Sequence, residues 1–446
     1  MTQTTTPQPQ GSGGYPRLAK LLRNVGIVFS GNVSNGIIGL LYLAVLTRAL
    51  PIEQFGVYAL FGAFVALVGR LTSFQAWKGL IQYGTEALAQ DDKPLLHGLL
   101  RFGWLLDIAS GVVGYAIALC AALLVPAWFG LGELALPGVA VAGAILMFNW
   151  TSAPTALFRI HDRFVPQAIF DNLGTALQLV TVSVLWALGE TRLIVYLATT
   201  AANNIIGQLA FFAYAIRAAK REQILTATPH PIRELPDKCP GIWRFVVSTN
   251  ADSIVRVVRD ADIFVVNALL DVAAVGLYRI ARTLTSALGK ITGPFYQTIY
   301  PELARMITNS RTMEIVGFMR QASMMLGALT GAALITFVAL GDQILHLAFG
   351  TEFVAAYAVT TWCMAGMFVW ALALPLSPAI MALRKPQLAL AIHFVTTIFY
   401  IALLAALVAD FGLIGAGYAL VSFHIVWALA MLATVGRQLN ARALLA

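Results

Sequence analysis

Charged side chains interrupt two apolar stretches in the middle of the chain, near 245–270 and 275–298. Each stretch is long enough to cross a bilayer, which takes about 20 residues. A charge at the centre of a membrane helix costs about 2.5–3.5 kcal/mol, so such side chains normally face a protein interior or a watery cavity. The first stretch carries Asp252, Arg256, Arg259, Asp260 and Asp262, and the second carries Arg279, Arg282 and Lys290.

The spacing of these charges places them on shared helical faces. Asp252, Arg256 and Arg259 fall at i, i+4 and i+7, and Arg279 and Arg282 share an arc with Lys290 at its edge. The basic side chains outnumber the acidic ones, so the pattern predicts a positively charged cavity wall that suits an anionic substrate. An internal ion-pair network that only fixes helix packing is the alternative, because Arg256 and Asp260 form an i, i+4 pair.

Milder polar faces recur in the first half of the chain. Arg70 lies deep in an apolar stretch with no acid at i±3 or i±4, and it is therefore a further cavity candidate. For the amide and hydroxyl side chains, helix–helix contact is the expected role. Proline breaks are also expected within spans, at Pro154 and at Pro375 with Pro378. The milder polar positions include Asn32, Asn35, Asp171, Thr175, Gln178, Thr200, Asn203, Asn204 and Gln208.

The composition identifies the elements that must position these residues. The chain has 446 residues, of which 59% are hydrophobic and 11% are charged, whereas soluble domains carry about 25% charged residues. An all-α polytopic membrane protein follows. The sequence contains no P-loop, HExxH, GxSxG or metal-spaced Cys/His cluster, so we expect no enzyme activity, metal or cofactor. Its net charge of +8 forms no separate basic module, so nucleic-acid binding is not expected.

Hydropathy predicts 12 transmembrane helices with both termini in the cytoplasm. Lysine and arginine concentrate in the alternate loops assigned to the cytoplasmic side, which supports this topology. We expect a disordered cytoplasmic tail at 1–16, a first six-helix lobe at 17–216, a cytoplasmic linker at 217–243 and a second lobe at 244–446. The spans are predicted near 24–46, 56–76, 101–125, 134–156, 168–189, 193–216, 245–270, 275–298, 317–340, 356–382, 388–409 and 413–436.

The two halves share short motifs at one separation. Gly56-Val57-Tyr58 corresponds to Gly276-Leu277-Tyr278 (276 − 56 = 220), and Pro166-Gln167 corresponds to Pro386-Gln387 at the same separation. A duplication with both copies in one membrane orientation is predicted. Parallel repeats of this kind occur in secondary transporters, with the substrate site between the halves.

Two segments resemble a known family. TRALPIEQFGVYAL (Thr47–Leu60) and DADIFVVNALLDVAAVGLYRIARTL (Asp260–Leu284) are similar to polysaccharide flippases, the Wzx-like branch of the MATE-related multidrug/oligosaccharidyl-lipid/polysaccharide exporter superfamily. The resemblance implies two pseudo-repeated six-helix lobes around a central cavity with alternating access. It also implies an inner-membrane location and an oligosaccharide carried on an isoprenoid (pyro)phosphate to the outer leaflet, for exopolysaccharide, O-antigen or capsule assembly.

A cationic cavity suits that substrate, because arginine forks bind phosphate oxygens bidentately. Under the resemblance, the basic residues would contact the head group, and the aspartates would bind a coupling proton or cation or orient the arginines. Polysaccharide polymerase and export machinery are expected partners besides the bilayer and the lipid-linked substrate. The expected head-group residues are Arg70, Arg256, Arg259, Arg279, Arg282 and Lys290, and the expected aspartates are Asp252, Asp260 and Asp262.

Two competing functions remain open. A cation-coupled multidrug antiporter of the same fold would carry cationic substrates, which suit acidic pockets better than an arginine-rich one. A membrane enzyme such as a glycan polymerase or ligase would need a sizeable outer loop for its catalytic groups, and the predicted outer loops are short.

Overall fold

The computed structural model describes residues 14–74, 76–126, 135–244, 246, 261–308, 312–383 and 385–443. Every regular element in these ranges is a helix. We number the α-helices in chain order; short 3-10 helices also occur at Ile232–Glu234 and Thr351–Ala356. The helices are α1 Gly14–Ala49, α2 Ile52–Thr72, α3 Trp77–Ala89, α4 Lys93–Leu124, α5 Ala135–Met147, α6 Ser152–Ile160, α7 Val165–Ala187, α8 Leu193–Arg221, α9 Leu235–Lys238, α10 Asp262–Leu269, α11 Val272–Thr308, α12 Thr312–Phe349, α13 Tyr357–Ala373, α14 Leu376–Ala382, α15 Pro386–Phe411 and α16 Leu413–Ala443.

The described residues contain 10 helical segments that are long and apolar enough to cross a membrane. They correspond to the predicted spans outside 245–298. The predicted seventh span lies largely outside the described residues, with only its last part present as α10. Helix α11 has 37 residues, which is ample length for a span, and it carries Arg279, Arg282 and Lys290.

Two spans are broken, and the breaks occupy corresponding positions in the two halves. The fourth span is interrupted between α5 and α6, and Pro154 lies in the first turn of α6. The span containing α13 is interrupted before α14, where Pro375 is the N-cap residue. The proline breaks expected from the sequence are thus confirmed. Interrupted helices in matching positions of a repeat are a pointer to a transport site.

The predicted cytoplasmic linker is ordered and packs against the first half of the chain. Its carbonyl at Ala227 lies 2.8 Å from Nδ1 of His97 in α4, and Tyr83 in α3 donates a hydrogen bond to the carbonyl of Pro240 at 2.9 Å. Apolar linker side chains join the core formed by α3, α4, α6 and α8. The amphipathic helix α3 is not one of the spans predicted from the sequence. It supplies one wall of this core.

The two halves share one core at one end of the molecule and have separate cores at the other. The shared core lies where α1 ends and α2 and α11 begin, which is the predicted outer end. There the ring of Phe55 packs edge-on against the ring of Phe353, with 5.4 Å between the ring centroids. At the opposite end, one cluster contains only residues of the first half and another only residues of the second. Among the described residues, apolar packing therefore joins the halves mainly at the outer end. Core members of the joint are Leu46, Phe55, Leu60, Ile263, Val266, Val275, Tyr278, Leu345 and Phe353.

Reciprocal backbone contacts at this joint follow the repeat. A Cβ atom on Gly56 would overlap the carbonyl oxygen of Val272, and one on Gly276 would lie 3.2 Å from the carbonyl oxygen of Ile52. Residues 52 and 272 are 220 positions apart, and so are residues 56 and 276. A pseudo-two-fold axis therefore relates the two contacts to each other. Helix bounds repeat at the same separation: α1 and α10 end at Ala49 and Leu269, α2 and α11 begin at Ile52 and Val272, and α8 and α16 begin at Leu193 and Leu413.

Replacing Gly56 with alanine is expected to weaken the joint between the halves. Overpacking of a filled contact costs about 1–3 kcal/mol, which outweighs the gain of about 0.5–1 kcal/mol from replacing a helical glycine. Thermal unfolding of the purified protein in detergent should therefore show a lower midpoint for Gly56→Ala. Gly62→Ala is the matched control on α2, because nothing lies within 4 Å of its Cβ position. Equal midpoints for the two variants would contradict the close contact.

Candidate functional site

Asp262 is the centre of a buried polar cluster in the second half of the chain. It lies at the start of α10 and is 3% exposed. Its Oδ2 atom accepts hydrogen bonds from the hydroxyl groups of Tyr278 at 2.7 Å and Tyr400 at 3.1 Å, and it forms an ion pair with Nε of Arg282 at 3.2 Å. The carboxylate thus joins three helices and fixes the Arg282 guanidinium, which is the arginine-orienting geometry expected for one of the aspartates.

Arg279 lies one turn before Arg282 on α11 and faces the other half of the chain. Its side chain is exposed, yet it interacts electrostatically with the hydroxyl groups of Tyr42 and Tyr58 in α1 and α2. These two hydroxyls are hydrogen-bonded to each other, and Tyr58 is bonded to Thr200 of α8 at 2.9 Å. A cation of the second half therefore lies beside a hydroxyl network of the first half.

The remaining predicted site residues are separated. Lys290 is exposed two turns beyond Arg282, near Gly36 of α1. Arg70 is exposed on α2 and lines a cavity in the first half. Among the described site residues, the structure brings Asp262, Arg279 and Arg282 together, with Lys290 further along the same helix. The predictions for Asp252, Arg256, Arg259 and Asp260 lie outside the described residues.

The first half also contains two adjacent polar cavities that share lining residues, and together we call them the amide chamber. The larger has a volume of 540 Å³ and lies between α1, α6, α7 and α8; the smaller has a volume of 440 Å³ and lies between α2, α5 and α8. Asn204 and Gln208 line both cavities, and Arg70, Tyr58 and Thr200 line the smaller one. The wall of the larger cavity carries eight amide side chains: Asn32, Asn35, Gln167, Asn172, Gln178, Asn203, Asn204 and Gln208.

The break between α5 and α6 forms part of this chamber. Asn149 and Thr151, on the segment between the two helices, line the smaller and the larger cavity. Asp107 of α4 binds the residue that follows the break. Its carboxylate accepts hydrogen bonds from the backbone N–H of Ser152 at 2.8 Å and from the Ser152 hydroxyl at 2.6 Å. The backbone N–H groups in the first turn of a helix lack intrahelical partners, and the bond from Ser152 supplies one such partner at the start of α6.

Two charged residues of the chamber, Arg159 and Asp171, are not among the site residues expected from the sequence. Arg159 ends α6, stacks over the ring of Trp77 at 4.6 Å and interacts electrostatically with Asp171 across the larger cavity. The amphipathic pattern of 77–89 is the sequence signal that could have placed Trp77 beside α6.

One charged pair outside the spans is satisfied locally. Between α7 and α8, Arg192 donates hydrogen bonds to Glu190 from Nε at 2.9 Å and from Nη2 at 2.7 Å. These bonds lower the pKa of Glu190 to about 2. Arg192 is therefore an arginine on the predicted outer side that is engaged by a neighbouring carboxylate.

Comparison with known proteins agrees with this architecture. The profile of the family described as "Polysaccharide biosynthesis protein" matches residues 21–307. The inner membrane protein YghQ of Escherichia coli (strain K12) is 25% identical over 338 residues, which cover 76% of this chain and 94% of YghQ.

Solved structures show the same fold. An inward-facing multidrug resistance MATE family transporter of the MOP superfamily superposes with a TM-score of 0.73 at 13% identity, covering 92% of this chain and 95% of the transporter. The lipid II flippase MurJ in an inward closed conformation gives 0.69 at 13% identity, covering 92% and 87%. An outward-facing MATE structure gives 0.56 at 14% identity, covering 94% and 98%. The higher score with the inward-facing transporter agrees with a joint at the predicted outer end.

The Asp262–Arg282 pair yields a stability prediction. Arg282→Met leaves the buried carboxylate without its cation, and removing one partner of a buried pair costs about 3–5 kcal/mol. The double variant Asp262→Asn with Arg282→Met removes both charges and should recover most of that loss. Thermal unfolding in detergent measures both effects.

Arg305→Met is the control on the same helix, because Arg305 pairs with Glu302 at 3.3 Å on the surface and such pairs contribute about 0–1 kcal/mol. If Arg282→Met unfolds at the same temperature as Arg305→Met, the buried pair does not hold these helices together.

Proposed function

This chain belongs to the polysaccharide biosynthesis protein family, and on that premise we propose that it is a flippase of the inner membrane. Its substrate would be an oligosaccharide linked to an isoprenoid (pyro)phosphate, moved from the cytoplasmic to the outer leaflet. The fold shared with MATE transporters and MurJ supports a transporter rather than an enzyme. The inner-membrane location of the relative YghQ and the 10 candidate spans support the membrane assignment.

We further propose 12 spans in two six-helix lobes with cytoplasmic termini and alternating access. The described conformation would be the inward-facing one. Its support is the joint that carries Gly56 and Gly276 at the predicted outer end, together with the separate cores at the other end. Opening to the outside would require separation at this joint. Arg48 of α1, which donates a hydrogen bond to the carbonyl of Leu347 near the end of α12, would have to release it.

The observation that carries the head-group proposal is the position of Arg279. Its side chain is exposed on α11, and its charge interacts with Tyr42 and Tyr58 of the first half. A charge in that position is costly unless water or an anion meets it, and a guanidinium binds phosphate oxygens in a forked geometry. Arg282, Lys290 and Arg70 would add positive potential, and Arg256 and Arg259 remain proposals of the same kind.

Coupling ions and partner proteins are also part of the proposal. Asp262 would act mainly by orienting Arg282, since its carboxylate is already engaged by that arginine and two tyrosines. A coupling proton or cation would then fall to Asp252 or Asp260. Polysaccharide polymerase and export machinery would act on the product after it reaches the outer leaflet.

A cation-coupled multidrug antiporter is the second candidate. The likeness to a multidrug MATE transporter, with a TM-score of 0.73, favours it on fold alone. The exposed positive charge of α11 opposes it, because Arg279 and Lys290 would repel a cationic drug. The two functions predict opposite effects of removing arginine charge.

Arg279→Gln is expected to abolish most glycan export in a strain that lacks the native gene. A hydrogen bond to a charged group contributes about 1.5–3 kcal/mol, so losing the guanidinium should lower transport by about tenfold or more. Surface polysaccharide should fall while lipid-linked oligosaccharide accumulates inside, and both are quantified at matched protein levels.

Arg192→Gln is the matched control, because it removes one arginine from a locally satisfied pair on the predicted outer side. It should export glycan normally. Normal export by Arg279→Gln would contradict the head-group site. Normal surface polysaccharide in the deletion strain, combined with greater sensitivity to cationic dyes, would replace the flippase with the antiporter.

A further inference from the structure

We propose that the amide chamber binds the sugar residues of the transported lipid, and that the sugars in its larger cavity are uncharged. The inference rests on the proposed function and assigns its second binding site. The head group and the glycan would then occupy different parts of the molecule, with phosphate at α11 and sugars among α1, α6, α7 and α8.

The chemistry of the wall favours a polyhydroxylated ligand. The larger cavity carries eight amide side chains and three threonines, and amides offer both hydrogen-bond donors and acceptors. A sugar hydroxyl also donates and accepts, so each can pair with such a wall at several positions. Aromatic side chains at Phe164, Phe170 and Phe211 add apolar surface for the C–H faces of sugar rings.

Several polar atoms on this wall have no hydrogen-bond partner among the residues that the structure describes. The Nδ2 group of Asn172 donates to the carbonyls of Gly31 at 3.1 Å and Ala168 at 2.7 Å, which leaves its Oδ1 unpaired. Oε1 of Gln208 and Nε of Arg159 are unpaired as well. Buried polar groups are normally satisfied, and the terminal torsions of amides are broad. A ligand that supplies hydroxyl groups at this wall would complete these bonds after a small rotation.

The charges of the larger cavity argue for neutral sugars. Arg159 and Asp171 are the charged residues on its described wall, and they interact with each other. The Arg159 guanidinium also lies over the Trp77 ring, and its Nη2 atom is 3.5 Å from Oε1 of Gln167. An acidic sugar would therefore meet an arginine already balanced by a carboxylate, and Asp171 would repel it.

The chamber connects to the proposed phosphate site. Tyr58 and Thr200 line the smaller cavity and are bonded to each other, and Arg279 interacts electrostatically with Tyr58. Tyr58 thus links the smaller cavity, which Gln208 also lines, to Arg279 of α11. A pyrophosphate at Arg279 would place the first sugar at the smaller cavity and later sugars in the larger one.

Binding to the purified full-length protein in nanodiscs tests this assignment. The probes are polyprenyl pyrophosphate without sugar, the same lipid carrying a neutral N-acetylglucosamine trisaccharide, and the same lipid with glucuronic acid in place of the terminal sugar. The unaltered protein should bind the neutral trisaccharide lipid about tenfold more tightly than the sugar-free lipid. The acidic probe should bind more weakly than the neutral one.

Gln208→Leu should reduce the advantage of the neutral trisaccharide to less than threefold and leave the affinity for the sugar-free lipid unchanged. Its thermal stability should be equal or higher, because the change removes an unpaired buried acceptor. Gln90→Leu makes the same change at an exposed position that ends α3 and should have no effect on binding.

Equal affinity for the sugar-free and trisaccharide lipids would overturn the chamber assignment while leaving a flippase intact. An unchanged sugar advantage in Gln208→Leu would also overturn it. Preference for the acidic probe would overturn the neutrality of the sugars. If the unaltered protein binds none of the three lipids, the proposed function itself fails, and the inference fails with it.

Discussion

The buried contact between Asp262 and Arg282 determines how charge is distributed in this protein. A carboxylate that is 3% exposed is tolerable only when cations and donors surround it. Arg282, Tyr278 and Tyr400 meet that need and tie α10, α11 and α15 together. Arg282 is thereby engaged by Asp262, and Arg279, one turn earlier on α11, is exposed beside the hydroxyl groups of the first half.

The halves meet where the repeat brings equivalent glycines together. Gly56 and Gly276 allow α2 and α11 to approach to backbone contact, and the shared apolar core surrounds that crossing. Because the cores at the opposite end each belong to one half, movement of the halves need not disrupt either of these cores. A hinge or rocking motion about such a joint is the general behaviour of transporters built from repeats.

Much of the fold could be predicted from the sequence. Apolar length and lysine and arginine bias predicted the positions of the described spans, and the 220-residue separation predicted the symmetry that the glycine contacts display. The amphipathic α3 was missed because the search was for long apolar stretches, and a helix that lies against others at one end of a bundle has no such signature.

The site was less predictable, because it depends on contacts between distant segments. The sequence singled out Asp262, Arg279 and Arg282, but only the folded chain pairs Asp262 with Arg282 and brings Tyr400 to it. Likewise, Asn204 and Gln208 were expected to serve helix packing, and no local pattern indicates that they line two cavities. Arg159 was not expected at the site because it lies beyond the predicted end of its span, near 156, whereas α6 continues to Ile160.

The most direct measurement is a cryo-electron microscopy structure of the protein in nanodiscs with polyprenyl pyrophosphate carrying the neutral trisaccharide. The account predicts pyrophosphate density within hydrogen-bonding distance of the Arg279 guanidinium and glycan density extending toward Gln208. Phosphate density bound away from α11, with Arg279 facing only water, would contradict it.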